Sequence, residues 1–207
     1  MTSRRTPHLP VQIREQLLAI IIERGYARSE EPFRLSSGGF SHDYVDLRRA
    51  MARGEDLRLA AEAVIAALDS EAISYVAIGG MTMGADPVAH AVAMLRPTEW
   101  FSVRKAEKDH GSKRRVEGAA LSASTPVVAF EDTVSTGASL LDAVDVLIGS
   151  GVPIAAACTL LDRGDAAAPI FAARNIPYLA LFTYDDLGIV PIGGEVTGDK
   201  ADVGLRT

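Results

Sequence analysis

The chain has 207 residues, 48% of them apolar, and a formal net charge of −6. That length suggests one domain with at most a small subdomain, and the acidic balance disfavours broad binding to nucleic acid or to anionic membranes. Cys158 is the only cysteine, which excludes a disulfide within the chain, and its place in an apolar run predicts a buried, inert thiol.

In chain order, residues 10–24 carry apolar positions at helical spacing (Ile13, Leu17, Ile20, Ile21) with Gly25 as a stop. Short strands are expected at 33–35 and 44–47 around a Ser-Ser-Gly-Gly turn, then a second amphipathic helix over 55–68. A strand at 75–78 leads through the glycine-rich loop 79–84 into a helix near 87–95. Strands follow at 100–103, 127–130, 154–161 and 178–182, with helices over 139–148 and 166–174. The tail from Gly188, rich in glycine and proline, is expected to be loosely ordered. Strands alternate with helices from about residue 55, which predicts an α/β fold: a Rossmann-like parallel sheet covered on both faces, binding its ligand at the carboxyl ends of the strands. No apolar run is long enough to span a bilayer, and the basic start of the chain lacks the apolar stretch of a signal peptide. A cytoplasmic protein is expected.

The most informative run is 127–139, Val-Val-Ala-Phe-Glu-Asp-Thr-Val-Ser-Thr-Gly-Ala-Ser. An apolar strand ends in Glu131 and Asp132, a hydroxyl-rich turn follows (Thr133, Val134, Ser135, Thr136), and Gly137, Ala138 and Ser139 open a helix. Such a turn can aim backbone N–H groups and hydroxyls at one anion beside a helix N-terminus. The two acids would repel that anion but suit the hydroxyls of a ribose. A phosphate cradle beside a diol clamp is what a phosphorylated ribose needs; an ordinary acidic helix cap is the plainer alternative. There is no Gly-Lys-Ser/Thr ending for a P-loop and no Gly-x-Gly-x-x-Gly after a strand.

Residues 104–115 hold six cations and two carboxylates. The run is either a solvated surface loop or a mobile set of cations, Arg104, Lys105, Lys108 and His110 among them, able to neutralise a leaving group such as diphosphate. The loop 79–84, with Thr82 and Met83, could approach the same anion or be a plain turn. Arg163 follows a strand and is either a surface charge or the partner of a substrate carboxylate. No His/Cys cluster has metal-ligand spacing, so no direct protein metal site is expected.

Taken together, four segments resemble the orotate phosphoribosyltransferase family of the type I phosphoribosyltransferase fold: 33–38 with 41–48, 103–111, 131–139 and 161–163. The acidic turn is shared by most type I members, whereas Arg-Lys-x-x-Lys-Asp-His-Gly is much more specific to the orotate enzymes. The resemblance implies one phosphoribosyltransferase domain, with a helix and small hood over about 1–50, an α/β core over about 55–187 and a tail over 188–207. It implies transfer of a phosphoribosyl group from 5-phospho-α-ribosyl diphosphate to orotate, with Mg2+ carried on the substrate. Glu131 and Asp132 would hold the ribose, and residues 133–139 the 5′-phosphate. Arg104, Lys105, Lys108 and His110 would meet the diphosphate, Lys108 foremost. Ser135 and Arg163 would bind orotate, and Ser36, Tyr44, Thr82 and Met83 would be further contacts. The sequence departs from the family where Lys is common, at Ser36 and Met83. A homodimer with loop 104–115 shared between subunits is implied. A purine-salvage phosphoribosyltransferase should lack the 104–111 pattern. A ligand-sensing regulator on the same fold would need a DNA-binding domain or a basic face, and neither is present.

Overall fold

A computed structural model describes residues 4–34, 40–106 and 115–192. A helix α1 (Val11–Ile20) widens into a π-helical turn, Ile21–Gly25, and runs into the antiparallel pair β1 (Tyr26–Arg34) and β2 (Phe40–Val45). This small sheet fits the expected hood, although β1 begins earlier than the sequence reading placed it, and residues 46–47 are not strand. Asp46 instead caps a short helix α2 (Leu47–Ala50), accepting from the N–H groups of Arg48 and Arg49.

The main sheet has the order β5-β4-β3-β6-β7-β8. Strands β3 (Ala77–Met81), β4 (Glu99–Val103), β6 (Val127–Val134), β7 (Ile154–Asp162) and β8 (Tyr178–Thr183) are parallel, and the three-residue β5 (Val116–Gly118) runs antiparallel on the edge. Alternation along the strands feeds two cores. Ile78, Val128 and Phe130 pack with Val64 and Leu68 of α3 (Gly54–Ser70) and Val88 and Val92 of α4 (Asp86–Leu95). Ala77, Val127 and Ala129 pack on the other face with Leu140 and Val144 of α5 (Ala138–Gly149) and Phe171 of α6 (Ala167–Ala173). Side chains of period two thus divide the helices between both faces of the sheet. Cys158 is fully buried, and burial pushes its thiol up to about 12, which makes it inert. Among the described residues, no helix is long and apolar enough to cross a membrane.

The chain leaves β3 to one side to form β4 and β5, then returns to the other side of β3 with β6. That reversal is the topological switch point, where the carboxyl ends of neighbouring strands leave a crevice. The start of the tail departs from expectation. Ile189 is buried, and the Ile192 N–H donates to the Arg163 carbonyl at 2.7 Å, so residues 188–192 are docked at this end of the sheet.

Candidate active site

Strand β6 continues past its apolar run. Parallel pairing with β7 extends through Glu131↔Thr159 and Thr133↔Leu161 to Val134↔Asp162, so Glu131 and Asp132 lie within the strand and not after it. The ladder fixes both carboxylates at the crevice, and Thr159 adds a hydroxyl bond to the Asp132 carbonyl at 3.2 Å. Burial, with the neighbouring Asp132, pushes the Glu131 carboxyl up to about 8, while the Lys105 charge pulls it down. Burial also raises Asp132, against the bond it accepts from the Thr133 N–H at 2.8 Å and the nearby charge of Arg48.

Residues Glu131 and 133–139 line a cavity of about 430 Å³. Gly137 adopts φ +82°, a left-handed conformation that a side chain would strain, and so turns the chain sharply into α5. No side chain caps that helix, and its first-turn N–H groups face an anion-sized space at the positive end of the dipole. Thr136 Oγ1 makes only a long contact with the Ala138 N–H, 3.4 Å. The cavity can therefore take a phosphate, and Glu131 of its lining, with Asp132 next to it in the strand, can take hydroxyls.

Arg163 lies just past β7, 4% exposed. Its Nε and Nη2 have no hydrogen-bond partner among the described residues. Burial pulls the guanidinium below its ordinary value, and Asp43 and Tyr26 of the hood oppose that shift. A buried, unpartnered cation costs several kcal/mol unless an anion meets it (on the order of 3–5 kcal/mol for a broken buried pair). Ser135 is brought to the same place: a Cβ on Gly164 would lie 2.5 Å from the Ser135 carbonyl, so the turns after β6 and β7 touch.

The loop 79–84 is a partial correction. Gly79 and Gly80 lie within β3, where a Cβ would come within 1.8 Å of the carbonyls of Phe101 and Phe130. Those two glycines serve strand packing. Gly84 adjoins the site: a Cβ there would meet the Asp132 carboxylate at 2.5 Å. The Thr82 hydroxyl is committed to Asp86 at 2.7 Å, an acceptor it shares with Ser102, whereas Met83 is exposed beside a cis Thr82–Met83 peptide. Tyr44 is half-exposed on β2, its ring edge-on to Phe33.

The charged loop is tied at its base. The Arg104 N–H donates to the Arg115 carbonyl at 2.8 Å, and Arg115 bonds back to the Arg104 carbonyl and to Asp142 of α5. Arg104 also reaches Glu117 at 3.9 Å. Lys108, His110 and Ser36 lie outside the described residues. Sequence reasoning gave no role to Arg48, which acts on Asp132, nor to Tyr26 and Asp43, which act on Arg163; all three act across elements distant in sequence, a signal that spacing along one chain does not carry.

No family model matches the chain. The chain is similar to orotate phosphoribosyltransferase of Corynebacterium glutamicum (strain R), 39% identical over 184 residues that cover 86% of this chain and 96% of the relative. Its fold is similar to the crystal structure of phosphoribosyltransferase from Corynebacterium diphtheriae, with a TM-score of 0.74 and 32% identity over 86% of this chain and all (100%) of that one. It is also similar to Mycobacterium tuberculosis H37Rv orotate phosphoribosyltransferase in complex with 5-phospho-α-D-ribosyl 1-diphosphate, with a TM-score of 0.70 and 28% identity over 87% and 95% of the two chains.

Proposed function

The chain belongs to the orotate phosphoribosyltransferase family, and we propose how its own residues divide the reaction. The protein transfers the phosphoribosyl group of 5-phospho-α-ribosyl diphosphate to orotate, giving orotidine 5′-phosphate and diphosphate, a step of pyrimidine biosynthesis. The observation that carries the assignment of roles is Arg163: a buried guanidinium with two free nitrogens, one turn from a phosphate-sized cavity, calls for a planar, carboxylate-bearing partner.

In this reading the 5′-phosphate enters the cavity of residues 133–139, held by backbone N–H groups and the hydroxyls of Ser135, Thr136 and Ser139. Glu131 and Asp132 accept from the ribose hydroxyls. Orotate lies between Ser135 and Arg163, with its carboxylate on the guanidinium. As diphosphate departs, the ribose ring becomes oxocarbenium-like and negative charge builds on the leaving oxygens. Arg104, Lys105, Lys108 and His110 are the cations placed to meet that charge, which a water-excluded site makes more effective.

Mg2+ fits as a companion of the substrate. Among the described residues no group of three or more His, Cys, Asp or Glu could cage a metal, and the ion would be held through the diphosphate and through the ribose hydroxyls that Glu131 and Asp132 receive. When bound, the ion supplies neutralising charge to the diphosphate. The working unit of this proposal is a homodimer in which loop 104–115 of one subunit covers the site of the other. The support is the family membership; the ends of the loop, rooted between β4 and β5, lie near α5 of their own subunit through the bond of Arg115 to Asp142.

Diphosphate release from 5-phospho-α-ribosyl diphosphate, assayed with orotate, hypoxanthine and adenine, tests the assignment. Turnover should appear with orotate alone; turnover with a purine and none with orotate would overturn it.

A further inference from the structure

Nothing described bonds to the Nε or Nη2 of Arg163, so its aim depends on the turn that carries it. One side of that turn is pinned to the sheet: the Arg163 N–H donates to the Val134 carbonyl at 2.7 Å, and its carbonyl accepts from Ile192 at 2.7 Å. The other side rests on Asp162, fully buried, which accepts from the Gly164 N–H at 3.1 Å and from the Tyr178 hydroxyl at 3.0 Å.

The N-terminal segment arrives at this second side. It meets β8 through a single parallel bridge opposite Leu179: the Arg5 N–H donates to the Tyr178 carbonyl at 3.2 Å, and the Ala180 N–H donates to the Arg5 carbonyl at 3.1 Å. From there Arg4 reaches back over the turn. Its Nη1 donates to the Gly164 carbonyl at 3.1 Å and to Asp165 Oδ1 at 3.4 Å, and lies 3.6 Å from Asp162 Oδ2. Its guanidinium stands 5.5 Å over the Tyr184 ring. Arg4 thus grips the residues on both sides of Arg163 without lining the cavity of Glu131 and residues 133–139. A surface cation of little consequence would not be spent on a buried carboxylate, a turn carbonyl and an aromatic face at once.

We infer that Arg4 is a positioning residue for recognition of the base: it holds the Asp162–Gly164 turn so that the Arg163 guanidinium points at the orotate carboxylate. The inference rests on the orotate-binding role proposed for Arg163. Arg4 contacts the turn and does not line the cavity, so its loss should act on orotate capture and leave the phosphoribosyl side alone. A residue that merely stabilised the fold would lower the melting temperature without singling out one substrate.

The test is steady-state kinetics of the full-length enzyme with both substrates varied, on wild type, Arg4→Ala, Arg4→Lys, Arg5→Ala and Arg163→Ala. Arg4→Ala should raise the KM for orotate on the order of tenfold, a coupling typical of contacting residues, with kcat and the KM for 5-phospho-α-ribosyl diphosphate changed by less than about twofold. Arg4→Lys, which keeps the charge and a donor, should recover part of the loss. Arg5→Ala, whose side chain pairs with Glu71 among the described residues, should stay near wild type. Should Arg4→Ala fold poorly, Arg4→Gln is read in the same way. An unchanged orotate KM, or an equal rise in both KM values, overturns the inference. Wild type that turns over orotate, with Arg163→Ala impaired and Arg4→Ala unimpaired, refutes the role of Arg4 alone. An Arg163→Ala enzyme that binds orotate normally refutes the underlying reading as well.

Discussion

Glu131 and Asp132 are adjacent carboxylates in a partly closed crevice, and burial raises both. The Glu131 carboxyl, raised by burial and by Asp132 from 4.5 to about 8, holds its proton through the neutral range when the site is empty. The sign follows from linkage. Between those two values the folded protein keeps a proton that the unfolded chain releases, so the stabilising contribution is complete below the unfolded value and is lost as pH rises towards 8. Glu131→Gln mimics the protonated form. The melting temperature of the free variant should match wild type near pH 5 and exceed it near pH 8, at about 2–4 °C for each kcal/mol recovered. Melting curves across that range that show no growing gap would contradict the assignment of a buried, proton-holding Glu131. The same variant should lose activity at every pH, because a neutral amide cannot develop the charge that the oxocarbenium-like ribose needs beside it.

At the scale of elements, the site depends on the approach of the β3 turn to the end of β6. A Cβ on Gly84 would meet Asp132 Oδ1 at 2.5 Å, so Gly84→Ala should push the carboxylate aside. Turnover should fall tenfold or more, in line with the roughly 10²-fold cost of displacing a reacting group by about 1 Å, while circular-dichroism melting stays close to wild type; full activity would show that Asp132 need not sit there. The alternation of strand and helix was legible because apolar period and glycine stops survive along a single chain, and the acidic turn was legible because its residue types have few joint uses. Strand ends were not. The apolar run of β6 stops at Phe130, yet pairing with β7 carries the strand to Val134, a property of the neighbour and not of the run. Gly79 and Gly80 read as loop by propensity, although the closeness of flanking carbonyls is what demands them in a strand. The three residues of β5 are too few for any periodicity. Arg163 was legible as a strand-end cation, but its burial and its free nitrogens exist only once the hood, the tail and β7 meet.

For the whole molecule, the proposal of a shared loop makes subunit mixing informative. Lys108→Ala should lower turnover by about 10²–10³-fold, the usual cost of one electrostatic contact made mainly in the transition state. Asp132→Asn should be inactive for a different reason, in its own subunit. Mixed dimers of the two would place one wild-type loop over one wild-type acidic turn, and activity should reappear after exchange; heterodimers that form and stay inactive would confine the loop to its own subunit. The proposed joining of orotate to a phosphoribosyl group by a phosphate cradle, a diol clamp and a buried cation rests on one discrimination between bases. Orotate and uracil differ by the carboxylate that Arg163 is assigned to receive, and kcat/KM for both is measured on wild type and on Arg163→Ala. Wild type should favour orotate by about 30-fold or more, since leaving a buried charge without its partner costs about 2–5 kcal/mol, and Arg163→Ala should erase most of that preference by losing orotate. Equal use of the two bases by wild type, or a preference that survives in Arg163→Ala, would remove Arg163 as the group that receives the carboxylate.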